Sequence, residues 1–593
     1  MIPSLLIPGL CAVFLSFCTI GTLAASKTLA DSETIAPFYI QVVDEETGRG
    51  VPLVQISTHD WCVWWTDSNG IAAITDPDLQ SDPTTGRSGE VWVFTGTWGY
   101  TDPANYLQDP GRLLTVTPGT FTRIEIRRDI RAERLYRFTG MGVFKDSLLA
   151  GLATPLADPT NPTQAANVAG QDSTQVALYK GRAMYFFGDT LVRQLAFGVM
   201  QSTGASSTLD VDVSSFLELE YYSADNGTSP APMVPVNEAF TWVQAFATVY
   251  PGTASEALLG FYAIHDGDSM NTTTYGSMRW DDSVEHFQLL VNFTGAGLTQ
   301  YCTTPSCFYV LWEGAHSLLA TAAGEPCNAS DPGAYVYLAC PTPLVRFPAT
   351  PEAFESFDLW ESYTPLKEGD TLAQPGPQLE RDPETGALVY GWKLGTGALG
   401  PDDEQEFINR GEMSSEESMF WGATVDAETG DALTLSGGDI QWSEHRQRWV
   451  YISQRDDDVD GQVWYSESAE LLGPYNAAVK IISHEDFGDI QHNLGSYTFY
   501  NVVQLAFAAE GRNIYVSGTL DAATDNSART NVPRYDYNNI VYRLDLDRVA
   551  RFFNGTNEVG RATRVAARIT TTKRTTRASA ARRRRATRRR SAP

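Results

Sequence analysis

Between residues 170 and 547 one pattern dominates the chain: strands of four to seven residues, separated by Gly/Asp/Asn/Pro turns, with no helical period between them. Many of these strands fall in pairs joined by a short turn, as in VALYKGRAMYFFGDT and QLAFAAEGRNIYVSG. Antiparallel hairpins repeated over about 380 residues without intervening helices favour a β-propeller over a sandwich. At roughly 50 to 75 residues per four-stranded blade with long loops, five blades fit best, with six or seven open. The expected fold class is therefore all-β, with the propeller spanning residues 161–550.

Composition places this body in a packed, acidic protein. The 593 residues are 42% hydrophobic and 19% charged, and the net charge is -29. That sum hides an asymmetry: residues 561–593 hold 13 Lys/Arg and no acid, which leaves 30 bases against 72 acids in the rest. A body that acidic repels nucleic acid and anionic membrane surfaces. The basic tail, rich in Arg, Ala and Thr, cannot bury a core and is expected to be disordered. Its arginine runs match a nuclear-localisation or nucleic-acid patch by composition. Behind a signal peptide, they read instead as a binder of acidic glycans or of the acidic body, or as a proteolytic site.

Residues 1–25 carry no charge, and the apolar run 5–23 ends in Thr22-Leu23-Ala24-Ala25, which reads as a secretory signal peptide. The missing basic segment ahead of it leaves an uncleaved anchor as the alternative. No later stretch approaches ~18 apolar residues, so no membrane span is expected after cleavage. Secretion agrees with Cys302, Cys307, Cys327 and Cys340, which lie in one window without His at zinc-finger spacing and are expected to form two disulfides of unassigned pairing. Cys62 is left over, expected as a buried thiol between aromatic neighbours. Sequons at Asn226, Asn271, Asn292, Asn328 and Asn554 fit a glycosylated extracellular protein.

Ahead of the propeller, residues 36–128 alternate short strands with turn signals, and residues 129–160 form a charged, then Pro-rich connector. The order of a strand, Asp44-Glu-Glu-Thr-Gly-Arg-Gly, a strand, Thr66-Asp-Ser-Asn-Gly and a further strand resembles the carboxypeptidase-regulatory or transthyretin-like β-sandwich. That resemblance implies an accessory module of a secreted enzyme, against the plainer reading of a packing domain without ligand.

The feature that most suggests chemistry is Gly170-Gln171-Asp172-Ser173, followed by a hairpin ending Phe186-Phe187-Gly188-Asp189-Thr190. This pair resembles the first blade of five-bladed propellers that act on glycans. Gly437-Gly438-Asp439-Ile440-Gln441-Trp442, Gly473-Pro474-Tyr475, Tyr497-Thr-Phe-Tyr-Asn501 and Arg534-Tyr-Asp-Tyr-Asn-Asn-Ile-Val-Tyr are similar to an uncharacterised secreted family known mainly from planctomycete bacteria. That family carries the same front module, so the resemblance covers about residues 38–547. It implies architecture more than reaction. Relatives tend to place a Glu near residues 514–519, where Ser517 stands here.

In a propeller the inner strand of each blade starts at a common central pocket. Glycosyl transfer there needs one acid to protonate the leaving oxygen and one carboxylate as nucleophile or base. Asp172 and Asp439 are the expected catalytic carboxylates, with Glu218, Asp282 and Glu313 in reserve. Asp189, Trp442, Tyr500 and Arg534 are the expected substrate-binding residues, although Asp189 also suits a turn-capping role. Trp242 and Trp464 join Trp442 as candidate stacking surfaces. The expected activity is a glycoside hydrolase acting on a polysaccharide or glycoprotein glycan, with no cofactor required. A polysaccharide lyase using His484, His492, Tyr497 or Tyr500 as base and a non-catalytic binding propeller are the alternatives; exposed loop positions are the plainer reading of the two histidines. The seven histidines form no H-x-H or H-x-x-x-H, which argues against a zinc hydrolase. The run Asp456-Asp457-Asp458-Val459-Asp460-Gly461 leading to Glu467 matches a calcium-loop pattern in which Asp456, Asp458 and Asp460 would be ligands. Its flanks read as strands, so an EF-hand is not expected. A solvated acidic turn and a Ca²⁺ loop remain the two readings.

Overall fold

The computed structural model describes residues 36–553 except 61, 107–108, 157–166, 193–198, 225–228, 235, 237–239, 266–271, 294–315, 328–330, 332, 340–342, 373–375, 422–423, 456–460, 485–497 and 522–536. The signal-peptide and basic-tail expectations lie outside these residues. So do Cys302, Cys307, Cys340, Arg534, His492, Tyr497, the three calcium-loop aspartates and the sequons at Asn226, Asn271, Asn328 and Asn554.

The N-terminal unit is a two-sheet sandwich. One sheet orders its strands Ile71–Ile74, Phe38–Asp44, Phe121–Arg128 and Tyr100–Thr101, with Phe38–Asp44 parallel to Phe121–Arg128. The other carries Val63–Trp65, Gln55–Thr58, Glu90–Gly96, Asp109–Thr115 and Asn105–Tyr106. Alternating residues such as Ile40, Val42, Val54, Ile56 and Ile124 meet between them as a dry core. The turn read from Thr66-Asp-Ser-Asn-Gly closes through Asp67, whose Oδ1 accepts from the Asn69 and Ile71 amides at 3.0 and 3.1 Å. Cys62 is half-buried here rather than enclosed.

Five four-stranded antiparallel units follow, and their first strands lie side by side around an axis: a five-bladed propeller. Blade one is Gln175–Tyr179, Arg182–Phe186, Gly204–Thr208 and Glu220–Tyr221, and blade two is Thr241–Val249, Ala257–His265, Thr272–Asp281 and His286–Asn292. Blade three starts with His316–Thr321 and gains a fifth strand, Gly391–Leu394. Blade four starts with Leu435–Ser443 and is widened by Thr424–Asp426, which pairs in parallel with Ala477–Ser483. Blade five is built from Thr498–Gln504, Asn513–Asp521, Tyr537–Asp545 and, as its outermost strand, Glu133–Arg137. That last strand precedes blade one in the chain, so one sheet joins the two ends of the ring and closes it.

Each gap between blades is an apolar wedge. Phe186, Phe246, Met278 and Phe287 fill the gap between blades one and two, and Phe261, Phe347, Phe354 and Trp360 the next. Trp464, Trp449, Tyr337 and Tyr451 pack between blades three and four. Trp464 is 2% exposed, so it is wedge packing and not the sugar-stacking surface that its sequence suggested. Blades four and five meet over Ile452, Val463, Val516 and Ile540, and this wedge extends to Leu53 and Trp98 of the sandwich. The strand content of these wedges explains the sequence pattern: inner strands buried on both faces read as continuous apolar runs, as in Thr241–Val249, where every residue is buried.

Arg134 pins the sandwich to the closing strand. It is 1% exposed, donating from Nε to the Tyr542 hydroxyl at 3.2 Å and from Nη1 to the Pro52 carbonyl at 2.9 Å and Thr97 Oγ1 at 2.7 Å. It also donates to the Trp98 carbonyl, and its guanidinium lies 5.5 Å from the Trp98 ring and 5.6 Å from the Tyr100 ring. His484 stacks on Trp98 at 5.2 Å and on Phe499 at 4.5 Å and bonds Tyr542 through Nε2 at 2.7 Å. Fully buried, it is neither an exposed loop residue nor a base facing the pocket. Arg134→Ala leaves four acceptors unpaired in a dry interface and should cost about 3 kcal/mol of stability, seen as a lowered Tm by calorimetry; an unchanged Tm would remove this pin from the account.

Candidate functional site

The Gly170–Ser173 segment meets blade five at the mouth where the inner strands start, and each of its residues has a defined task. Gly170 lies so close to the Tyr537 carbonyl that a Cβ would sit 1.8 Å from its oxygen, which restricts the position to glycine. The Gln171 side chain donates to Thr203 Oγ1 at 2.9 Å and accepts from the Tyr221 hydroxyl at 2.7 Å, tying the segment to blade one. Its carbonyl accepts from Asn539 Nδ2 of blade five at 3.0 Å. Ser173 takes a left-handed backbone, φ 40°, and its amide donates to Thr519 Oγ1 at 2.9 Å.

Between these anchors Asp172 is 6% exposed. Oδ2 accepts from the Tyr537 hydroxyl at 2.7 Å and the Tyr500 hydroxyl at 3.0 Å, and Oδ1 from Ser173 Oγ at 2.9 Å. A bulge between Tyr500 and Val503, with Asn501 at φ 50°, turns Tyr500 and Asn501 toward blade one; Asn501 Nδ2 donates to Ser173 Oγ. Burial pushes the Asp172 carboxyl above its ordinary range, while the Tyr537, Ser173 and Tyr500 hydroxyls pull it back. Burial likewise keeps Tyr537 protonated as a donor.

Asp189 is brought to the same place. The Asp172 amide donates to the Asp189 carbonyl at 2.8 Å, and the Gly188 amide to the Asp172 carbonyl at 3.1 Å. Asp189 Oδ1 accepts from the Trp242 indole at 3.0 Å, and Trp242 rests on His265 with ring centroids 4.1 Å apart. Burial raises the Asp189 carboxyl to about 6, with the Trp242 hydrogen bond opposing and the Asp172 charge adding to the rise. Two carboxyls that interact by charge titrate as a pair, one gaining its proton at the other's expense.

Asp439 is not part of this pair. It is 1% exposed on blade four's inner strand, with Oδ2 accepting from the Gln504 amide at 2.8 Å and Oδ1 from Gln441 Nε2 at 3.0 Å. Burial raises it to about 6 with backbone and Gln441 hydrogen bonds opposing, and among the described residues no second carboxylate contributes. Asp172 is anchored at Tyr500 and Asp439 at Gln504, four residues along the same strand, on the order of 10 Å apart. Of the expected catalytic residues, Asp172 therefore lies beside Asp189, in the turn that ends blade one's second strand, and its carboxylate charge acts on Asp189, while the hydrogen-bond partners of Asp439 are Gln504 and Gln441. Asp439 and the half-buried Trp442 border a cavity of about 670 Å³ to which all five inner strands contribute.

Of the other expected residues, Tyr500 joins the Asp172 cluster, as above. Cys327 is half-buried, and among the described residues no two cysteines lie at disulfide distance. The strands Arg448–Arg455 and Gln462–Ser468 flank the Asp-rich turn as the sequence implies. Glu467, the last position of the calcium pattern, is engaged by Arg446 at 2.8 and 2.9 Å and by the Tyr465 hydroxyl at 2.6 Å. Among the reserve acids, Asp282 pairs with Lys180 at 2.5 Å on the outside of blades one and two, and Glu313 lies outside the described residues. Sequence reasoning missed Tyr537, Asn501 and Trp242 as partners of the acids. For Tyr537 the signal was present in the Tyr-Asp-Tyr-Asn-Asn block, but only ring closure places it opposite Asp172.

No protein-family model matches the chain, and the search of curated proteins returns no match. Among solved structures, it is similar in chain path to an exo-1,5-α-L-arabinanase from a bovine ruminal metagenomic library, at 9% identity and TM-score 0.27 over 64% of this chain and 93% of that one. It is also similar to an exo-β-1,3-galactanase from Phanerochaete chrysosporium, at 9% identity and TM-score 0.31 over 70% and 65% of the two chains. A levansucrase variant of B. subtilis shares 10% identity at TM-score 0.29 over 66% of this chain and 88% of that one. The five-bladed assignment stands on the strand order described above.

The Asp439 carboxyl sets a pH test of this geometry. Its folded value lies above the ordinary 3.8, so its contribution to stability is present at acid pH and is lost as the pH rises through about 6. Asp439→Asn, neutral throughout, should remove about 3 kcal/mol of that decline between pH 4 and 7. Parallel Tm-versus-pH curves for the two proteins would contradict the burial.

Proposed function

We propose that this protein is a secreted glycoside hydrolase whose working carboxyls are Asp172 and Asp189, acting on a polysaccharide or glycoprotein glycan. The observation that carries the reading is the pair itself: two carboxyls, both raised by burial and coupled by charge, at the mouth where five inner strands start. Fold alone decides nothing about reaction, since propellers host many.

The two environments divide the roles. Asp172, held by three hydroxyl donors, is the carboxylate that attacks the anomeric carbon or activates water. Asp189, raised to about 6 by burial first and by the Asp172 charge second, keeps its proton up to mildly acidic pH and delivers it to the leaving oxygen. Trp242 fixes Asp189 through its indole N–H. The lyase alternative has less support, because Tyr500 spends its hydroxyl on Asp172 and His484 is enclosed.

The test is release of new reducing ends from a panel of plant, algal and microbial polysaccharides. Turnover of one substrate should fall at least about a thousandfold in Asp172→Asn with Tm nearly unchanged; full activity in that variant would remove Asp172 from the mechanism, and release of unsaturated ends would point to a lyase. Tyr537→Phe takes away a hydrogen bond that lowers the Asp172 carboxyl, so the acid limb of the pH–rate profile should move to higher pH. An unmoved limb with normal turnover would dismiss the Tyr537 contact as a catalytic influence.

A further inference from the structure

Gln454, in blade four's second strand Arg448–Arg455, reaches across to the inner strand of blade five. Its backbone pairs with Ser436, and its half-buried side chain bonds twice to Thr498–Gln504. Nε2 donates to the Phe499 carbonyl at 3.1 Å, and Oε1 accepts from the Asn501 amide at 3.1 Å. The two backbone groups fix which end of the carboxamide is which, since an N–H needs the oxygen and a carbonyl needs the nitrogen. Tyr500 is thereby bracketed on both sides, as a paired strand would bracket it. Thr498–Gln504 is the edge strand of its sheet, where a side-chain amide can take the place of a missing neighbour. The bulge between Tyr500 and Val503, with Asn501 left-handed, interrupts the ladder on the paired side at the same point.

The segment held in this way feeds both oxygens of Asp172. Tyr500 gives its hydroxyl to Oδ2 at 3.0 Å. Asn501 Nδ2 donates to Ser173 Oγ, and that hydroxyl donates to Oδ1 at 2.9 Å. Two consecutive residues of one bulge therefore set where the donors lie. A tyrosine hydroxyl stands far from its own Cα, so a small rotation of the backbone at Tyr500 carries it out of hydrogen-bond range. Asp172 is faced by Asp189, from the turn after Arg182–Phe186, and by Tyr500 and Tyr537 of blade five. Gln454 brings no charge to that set, so its influence on the carboxyl runs through placement.

We propose that Gln454 is a positioning residue for the Asp172 mouth: its carboxamide fixes the Tyr500–Asn501 bulge and, through it, the hydroxyl donors on both carboxylate oxygens. Its effect on turnover rests on the hydrolase reading above; its hold on Tyr500 and Asn501 does not.

Carbon-13 NMR of the full chain labelled at the aspartate carboxyl reads this without a substrate. The Asp172 and Asp189 signals are assigned by Asp172→Asn and Asp189→Asn, and both are followed because neighbouring carboxyls titrate as a pair. Gln454→Met and Gln454→Ala each remove both bonds, and in each the Asp172 proton should be held about threefold more tightly, because the carboxylate loses a donor. Tyr500→Phe should act in the same direction, and the Gln454→Met, Tyr500→Phe double variant should shift by clearly less than the sum of the two. Circular dichroism and Tm identify a variant that has not folded, and two substitutions at residue 454 keep the test alive if one fails. An unchanged Asp172 titration in the folded Gln454 variants would overturn the proposal, as would a double-variant shift equal to the sum. On the substrate that the polysaccharide panel identifies, kcat should fall about tenfold with KM changed less than about twofold, and the acid limb should follow the carboxyl to higher pH. A shifted carboxyl with an unmoved limb would support the positioning contact and count against the hydrolase reading instead.

Discussion

Ring closure by Glu133–Arg137 is the constraint on which the rest of the molecule depends. A propeller of five blades leaves two sheet edges unless one blade is assembled from both ends of the repeat, and blade five does this by pairing Glu133–Arg137 with Tyr537–Asp545. The closing strand leads out of the sandwich, so the sandwich shares the packing of blade five through Arg134, Trp98 and His484. Closure also seats Gly170–Ser173 against Tyr537 and Asn539, which is how an acid at the start of blade one acquires hydroxyl donors from residues near the end of the propeller. The site is therefore a product of topology as much as of local sequence.

Desolvation, more than partner charge, sets the electrostatics. Asp172, Asp189 and Asp439 are all raised by burial first, with hydrogen bonds opposing. They differ in what else they feel. Asp439 is satisfied by a backbone amide and a glutamine and titrates alone, whereas Asp189 responds to Asp172. The proposed acid–base roles draw on that difference, since neighbouring carboxyls whose environments push their pKa values apart can hold the acid and the base. Among the described residues, the largest influences on Asp172 and Asp189 after burial are hydroxyl and indole donors, with the Asp172 charge added at Asp189.

Much of this architecture is legible in the sequence, because hairpin periodicity and turn residues are local signals. The two-residue turn at Lys180-Gly181 joins the first two strands of blade one, and the strands flanking the Asp-rich turn lie where the pattern puts them. Asp172 is legible for the same reason, since Gly-Gln-Asp-Ser opens a strand. Partnership is not local. Asp439 also follows two glycines before an inner strand, and nothing in its neighbours states how far along the axis the side chain falls. Trp464 and Trp442 read alike, yet register places one inside a wedge and the other on the cavity wall. His484 precedes a long segment and reads as loop, while its ring is held between Trp98 and Phe499, residues 386 positions before it and 15 after it.

The central claim, that the Asp172–Asp189 mouth is where a glycan is cleaved, is tested most directly by locating the ligand. The measurement is a crystal structure of Asp172→Asn grown with the oligosaccharide that the unaltered protein cleaves. The account predicts a sugar ring at the start of the inner strands, with its scissile oxygen within hydrogen-bond reach of the Asp189 carboxyl and its anomeric carbon facing residue 172. An oligosaccharide bound only elsewhere on the propeller, with both residues still enclosed by Tyr537, Tyr500 and Trp242, would contradict it.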